Sequence, residues 1–543
     1  MFRKNDEHLQ PVLFNHYQEM KPGIAKMIEN TWAPVFYKEV FCKINEELFI
    51  PLYCNDNGRP NTPVNILLSL EIIKHLFDYN DTEMLEQFFF NFQVLYALGI
   101  RNIGEVYIAE RTIYEFRERI FNYIKEHPEQ EDILFQQFET LTKNFIEVAN
   151  IKTNEQRTDS TFVSPNIKKA GRLSLAHDVL AQAVKALPPH LLTQDLKKVL
   201  EKSFKTNLLY HTRNDALESR FQKVIDLMAQ VWKLAEDRHD IATIEAVMIL
   251  KRFLQEQTTY NEEENRFVAK EKREVKSDSI QSAYDTEATF RDKAGKKHSG
   301  YSLNLTETCS EDNAAQLVTD YKLDPNNKSD VEVLEDRLDP IKENTDVKGL
   351  YADGGYYGEK VIEKADSLDI NIHYTDMTGR KRAEDKLPLT EFKFNEQLEV
   401  TQCPGGKKPT QSRYNTKTKS SISHFAKADC KDCPLKGNCP IKEQKKAMVL
   451  RASKKSIMAA NVRAEIHTKA IKRKNVSKRA AIEGTNSSLK RSQGADKLKV
   501  RGIIKCNMQI ALKLIGHNFK QTYHALKTLI HKPQEGEVCP NVS

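Results

Sequence analysis

Three acidic residues stand in settings where a carboxylate can do chemistry. Asp159 lies in residues 156–163 (QRTDSTFV), whose alternation of polar and β-favouring residues, bounded by Ser164 and Pro165, predicts a strand. Asp353 lies in residues 351–358 (YADGGYYG), at the end of a second predicted strand, before a sharp turn through Gly354 and Gly355 where a backbone or phosphate can approach closely. Glu483 lies in KRAAIEGTNSSLKRS; on a continuous helix, Arg479, Glu483 and Lys490 would fall within about 40° of one another. Each acid also has an ordinary explanation. Asp159 is one acid among 76, Asp353 can cap the turn that follows it, and Glu483 can be the i, i+4 partner of Arg479. Together, three acids from two strands and a helix suit phosphodiester chemistry. Oxygen ligands hold Mg²⁺ or Mn²⁺, and two such ions about 3.5 to 4 Å apart activate an attacking water or 3′-hydroxyl and stabilise the leaving oxygen. Nearby cations would hold the substrate's phosphates, a task for which Arg479 and Lys490 are placed.

The distribution of charge points the same way. The chain carries +7, but residues 451–505 hold 16 Lys plus Arg against Glu465, Glu483 and Asp496, so that the remainder is net acidic. A stretch this basic predicts a polyanionic partner, with nucleic acid first in line; a solvated helix face is the alternative.

Four of the nine cysteines, Cys403, Cys430, Cys433 and Cys439, cluster in the contexts QCPGG and CKDCPLKGNC. Four thiolates, two of them in a CxxC turn, match a closed tetrahedral Zn²⁺ site, with His424 as a possible substitute ligand and four reduced surface thiols as the alternative. Nine cysteines in 543 residues do not make a disulfide framework.

The elements that would position these groups follow from periodicity. Residues 1–148 read as helical, with Ile66, Leu70, Ile73 and Phe77 at helical spacing and Asn80 with Glu83 as a capping pair for the next helix, which carries Leu85, Phe88, Phe89 and Phe92. Residues 173–257 are again helical, and 261–279 are so charged that they read as a linker. Strands are expected at 300–306, 347–353 and 370–375, with a short helix at 361–368, an alternation that implies an α/β sheet. Residues 379–450 are polar and Lys-rich, and 451–530 are helical with Met508, Ala511, Leu512, Ile515 and Phe519 in one apolar stripe. A disordered tail is expected from 531. The longest apolar stretch, residues 64–77, is broken by Glu71 and Lys74, so no membrane span is expected and the chain reads as cytoplasmic and nucleoid-associated.

The run from Arg479 through Glu483 to Lys490 resembles the end of the YREK signature of bacterial insertion-sequence DDE transposases, and GTNSSLKRSQGADKLKVRG is similar to its usual continuation. GRPNTPVNILLSLEIIKHLF resembles the InsH-like transposase N-terminal domain, RTDSTFVSPN and YADGGYYG the strands of the first and second aspartates, and TEATFRDKAGKKHSGYSLNLTET the stretch between them. The resemblance implies that Asp159, Asp353 and Glu483 are a catalytic, metal-binding triad for Mg²⁺ or Mn²⁺. It implies that Arg479 and Lys490 contact DNA, with Arg491 beside them. Val476 stands where the signature has Tyr. The implied fold is an RNase H-like catalytic core, a mixed sheet with flanking helices. Because 193 residues separate the two aspartates and 129 separate Asp353 from Glu483, that core must be interrupted. The resulting organisation is an all-α DNA-binding domain at 1–148, then the first part of the core at 149–378 with a helical insertion at 166–283. A Cys-rich zinc insertion follows at 379–450, a basic helical end of the core carrying Glu483 at 451–530, and a tail at 531–543. The implied activity is metal-dependent DNA cleavage and strand transfer at terminal inverted repeats, by a homodimer on double-stranded DNA. Two rivals share these features: a nuclease that does not join ends, and a transposase-derived DNA-binding protein without catalysis.

Overall fold

The computed structural model describes residues 1–530 except 11–13, 55–57, 59, 169, 211–216, 294, 376–385 and 466–468, so the expected tail at 531–543 lies outside the described residues. A mixed sheet lies at the centre. Strand β1 (Glu155–Val163) runs antiparallel to β5 (Lys296–Thr308) and parallel to β7 (Gly349–Ala352), and β8 (Asn371–Tyr374) continues in parallel beyond β7. The first residues of β5 also pair with β4 (Thr289–Lys293), and the rest with β6 (Val318–Pro325). β6 is absent from the sequence expectation because Asp320, Lys322 and Asp324 interrupt its pattern. In the fold Asp320 is buried against Arg337, so that charge does not mark a loop there.

Successive residues of a strand face opposite sides of the sheet, so Glu155, Arg157 and Asp159 share one face, and the parallel register adds Tyr351 and Asp353 to it. The other face packs on α7 (Asp330–Asn344) and α8 (Glu359–Ser367) through Leu334, Leu338, Leu350, Ala352 and Val361.

The N-terminal region is helical, as expected. Helix α1 (Val64–Phe77) is followed by α2 (Asp81–Phe90), where Asn80 and Glu83 form the reciprocal capping box, and by α3 (Ile133–Val148). Helix α1 is buried nearly all round from Val64 to His75, whereas Phe77, assigned to its apolar stripe, is 41% exposed. The C-terminal α11 (Ile503–Ile530) lies along α1 and α3 and buries Met508, Ala511, Leu512, Ile515 and Phe519. One apolar cluster runs from these helices to Leu303, Leu305 and Leu323 of the sheet, so the first and last parts of the chain share a core.

Between β1 and β4, α4 (Arg172–Ala186), α5 (Leu217–Glu236) and α6 (Glu245–Gln257) enclose a separate apolar core. The stretch expected as a charged linker instead contains a hairpin, β2 (Thr258–Asn261) with β3 (Arg266–Ala269). Tyr260 and Phe267 meet edge-on at 5.2 Å across it, the Asn261 side chain accepts the amides of Glu263 and Glu264, and Asn265 takes φ 48°. Half of the acids that suggest a linker, Glu262, Glu263 and Glu264, sit in its turn. Residues 393–453 form β9 (Lys393–Phe394) with β10 (Val400–Gln402), and a sheet of order β11–β12–β14–β13: β11 (Gln411–Asn415), β12 (Ser420–Phe425), β13 (Lys442–Glu443) and β14 (Met448–Ser453).

Gly300 anchors the end of β1. Its φ is +137°, and a Cβ there would lie 2.6 Å from the Val163 carbonyl oxygen and 2.7 Å from Pro165 Cδ. Gly300→Ala is therefore expected to destabilise the fold by about 2 to 3 kcal/mol, read as a lower urea midpoint with an unchanged slope.

Candidate active site and cysteine pocket

Asp159 projects from β1, Asp353 follows the end of β7, and Glu483 opens α10 (Ile482–Ser492), the helix after α9 (Lys469–Ala480). All three converge on one guanidinium. Arg479 Nη2 lies 2.8 Å from Asp159 Oδ1 and 4.0 Å from Asp353 Oδ2, and Nη1 donates to Glu483 Oε1 at 3.2 Å. Both ordinary readings of these acids hold as well. Asp353 accepts the Gly355 amide at 2.7 Å, and Glu483 is the i, i+4 partner of Arg479. Gly355 leaves room for this close approach: a Cβ there would stand 2.8 Å from Asp353 Oδ1 and push the carboxylate aside.

The expected continuous helix through Arg479, Glu483 and Lys490 is instead broken between the first two. Ala481 takes ψ −19°, and the Gly484 amide donates to its carbonyl three residues back, a tightened 3₁₀ turn. Ile482 and Leu489, both buried, press α10 into the core; full burial of such side chains contributes about 1.5 to 3 kcal/mol each. Asn475 donates to the Tyr374 carbonyl, tying α9 to β8.

Side-chain exposure rises from 10% at Asp159 through 36% at Asp353 to 67% at Glu483, so the cluster opens to solvent at Glu483. Burial pushes the Asp159 pKa up, Arg479 pulls against it, and Asp353 adds to the rise. Burial would lower the Arg479 pKa, but the three acids outweigh it and hold it above its ordinary value. Arg479 Nε is buried and has no hydrogen-bond partner among the described residues.

Lys490 lies away from this cluster. It is seven residues on from Glu483, about 10 Å along a helix, and its ammonium stands 3.9 Å from Asp496. Burial lowers its pKa, opposed by Asp496. Arg491 and Val476 are exposed. The tyrosines beside Asp353 pack: Tyr351 donates to Glu155, buried Tyr356 to Asn304, and Tyr357 to the Lys455 carbonyl. His298 stacks on Phe162 at 4.1 Å. Supporting residues escape the sequence reading, although the strand period that puts Glu155 and Arg157 on the Asp159 face was available to find them.

Cys403, Cys430, Cys433 and Cys439 line one cavity beside the β12–β14 sheet, whereas His424, in β12, does not line it. A Cβ on Gly405 would lie 3.4 Å from Cys433 Sγ and 3.8 Å from Cys403 Sγ, so both sulfurs flank one glycine. Burial raises the Cys430 and Cys439 pKa values, and the neighbouring sulfurs raise them further. The eight described cysteines are all free. Among the described residues no group of three or more His, Cys, Asp or Glu side chains is gathered so that it could hold a metal ion, the three acids and the four cysteines included.

Residues 402–523 match the family described as Transposase DDE domain, and residues 31–119 match Transposase domain (DUF772). The first match includes the four cysteines, Arg479, Glu483 and Lys490; Asp159 and Asp353 precede it. Both are transposase families, consistent with an insertion-sequence DDE transposase, and the DDE domain supports an enzyme of the nuclease and transposase class. A DDE domain implies an RNase H-like fold, which suits the mixed α/β architecture. Proteins of this class bind DNA and generally use divalent metals such as Mg²⁺. No curated protein and no solved structure matches the chain significantly. No helix among the described residues is long and apolar enough to cross a membrane.

Proposed function

We propose that this chain is the transposase of an insertion sequence, which binds terminal inverted repeats, cuts DNA at the element ends by metal-dependent hydrolysis and joins the freed 3′-hydroxyl to target DNA by transesterification. The observation that carries the reading is the convergence of Asp159, Asp353 and Glu483, from two strands and a helix, on one cation. These carboxylates would hold Mg²⁺ or Mn²⁺, which when bound supplies activation of the attacking oxygen and charge neutralisation at the leaving one. The donor set fits a hard divalent ion, and Arg479 stands in for it electrostatically. Substrate enters from the exposed Glu483 side, where Arg479 holds a phosphate, while Lys490 and Arg491, farther along α10, contact the DNA beyond the cluster. The helical stretch 166–283 and the Cys-rich stretch 379–450 are insertions into an RNase H-like core, and residues 1–148 contribute DNA binding. Two copies act together, because two element ends must be brought to one target.

The test is incubation of the protein with DNA carrying the gene's own flanks, in Mg²⁺ and in Mn²⁺. Cleavage at the repeats with joined product supports the reading; cleavage without joining favours a simple nuclease; binding of the flanks without cleavage favours a non-catalytic DNA-binding protein.

The cysteine pocket is proposed to hold a structural Zn²⁺, which would reverse the mutual elevation of the thiol pKa values by binding thiolates. Cys433→Ser is expected to lower bound zinc from about one ion per chain to near none, by elemental analysis, and to lower the melting temperature. Equal zinc content in native protein and variant would remove the ion from this site.

A further inference from the structure

The three acids come from separate elements, so the α9–α10 turn must be held in register against β1 for Glu483 to meet Asp159. Arg157 and Glu307 are placed to hold it. They are opposite one another in the β1–β5 register, Arg157 Nε donates to Glu307 Oε1 at 2.6 Å, and both are buried. Each then reaches the turn on one side of the site. Arg157 Nη1 donates to the Lys478 carbonyl at 3.0 Å, immediately before Arg479. Glu307 Oε2 accepts the Thr485 hydroxyl at 2.7 Å, two residues after Glu483. The Lys478 carbonyl belongs to the last turn of α9, where carbonyls lack partners within the helix and a cation is favoured. A second tie lies alongside: Lys478 donates to Glu155 at 2.6 Å, with its ammonium 5.2 Å from the Tyr351 ring.

The arrangement is more than generic packing, because its fixed end is the strand that carries Asp159. Arg157 is two residues before Asp159 and on the same face, so the strand that presents one carboxylate also sets the height of the turn that presents the other. Glu307 is an acid on this face, but it is fully buried, and both its oxygens are engaged by Arg157 and Thr485.

We propose that Arg157, Glu307 and Thr485 form a positioning clamp that sets Glu483 and Arg479 against Asp159 and Asp353 for DNA cleavage. The inference rests on the proposed function, since it assigns a role within that site. None of the three touches the reacting atoms. They act through the α9–α10 turn, and a displacement of about 1 Å there is enough to cost about 10²-fold in rate.

Thr485→Val tests this with least risk to folding, because it removes one hydrogen bond from a partly exposed residue and keeps the side chain's shape. Thr485→Ser keeps the hydroxyl and serves as the rescue, and Arg157→Lys keeps the charge but cannot serve both partners. Three readouts are compared with native protein: cleavage of flank DNA, affinity for Mn²⁺ alone by calorimetry, and melting temperature. The clamp predicts that Thr485→Val binds Mn²⁺ several-fold more weakly and cleaves about 10- to 100-fold more slowly, with DNA affinity near native and a melting temperature lowered by a few degrees, because buried Glu307 Oε2 loses its partner. It predicts that Thr485→Ser returns towards native values and that Arg157→Lys shows the larger defect. Thr485→Val matching native in Mn²⁺ affinity and rate overturns the clamp alone. A change in melting temperature without a change in Mn²⁺ affinity or rate also overturns it, leaving a structural tie. Native protein that neither binds Mn²⁺ nor cleaves overturns the proposed function, and the clamp with it.

Discussion

Asp159→Asn and Glu483→Gln are each expected to lower cleavage and joining of the element ends by about 10³-fold or more while leaving DNA affinity within a few-fold of native. Each substitution keeps side-chain size and one acceptor oxygen but removes an anionic ligand. A metal's stabilisation of developing charge contributes several kcal/mol, and about 1.4 kcal/mol corresponds to a factor of ten. The two variants should differ in stability. Asp159 is buried and keeps its charge only against the cost of desolvation, so neutral Asn removes that cost together with one partner of Arg479, which retains Glu483. Glu483 is mostly exposed, and its ion pair contributes about 0.3 to 0.5 kcal/mol, so Glu483→Gln should melt close to native. Gel assays of labelled flanks measure the first effect, fluorescence anisotropy the binding. Either variant cutting within tenfold of native would remove that residue from the catalytic set.

Legibility in the sequence followed the range of the interaction. The strand of Asp159 and the turn after Asp353 were readable because period-two patterning and glycines are local signals, and the Asn80–Glu83 capping box spans three residues. The Arg479–Glu483 pair was equally readable as an i, i+4 contact. That the same guanidinium also faces Asp159 and Asp353 was not, since that depends on packing a helix across two strands from distant parts of the chain. Arg157 and Glu307 show the same limit, being buried partners 150 positions apart. Charge misled in both directions. It hid β6, whose Asp320 is compensated by Arg337, and it made the β2–β3 hairpin look like a linker although Tyr260 and Phe267 hold it closed. The helix break at Ala481 escaped because alanine carries no signal against helix, and the tightened turn there is set by how α9 and α10 dock.

Arg479→Ala should separate two properties that usually fall together: tighter binding of Mn²⁺, by about tenfold, and slower DNA cleavage, by about 10²-fold. The guanidinium now neutralises the acids, at 2.8 Å from Asp159 and 3.2 Å from Glu483, and a divalent ion entering the cluster must work against a positive charge in its midst. Taking that charge away frees the carboxylates for metal. Cleavage falls nonetheless, because a phosphate at the open side loses a charged partner. Stability should respond to pH with a defined sign. Burial already holds the Asp159 pKa above its ordinary value with Arg479 pulling it down, so loss of the guanidinium raises it further. A carboxyl with a raised folded-state pKa binds more protons folded than unfolded, so its stabilisation is present at acid pH and is lost as pH rises through that folded-state value. Metal-free Arg479→Ala should therefore lose more stability than native protein on going from about pH 4 to pH 7, and Mn²⁺ should restore it at pH 7. Melting curves across that range, with and without Mn²⁺, measure both effects. A variant that binds Mn²⁺ no more tightly than native and cleaves at the native rate would show that Arg479 neither competes for the acids nor holds a phosphate.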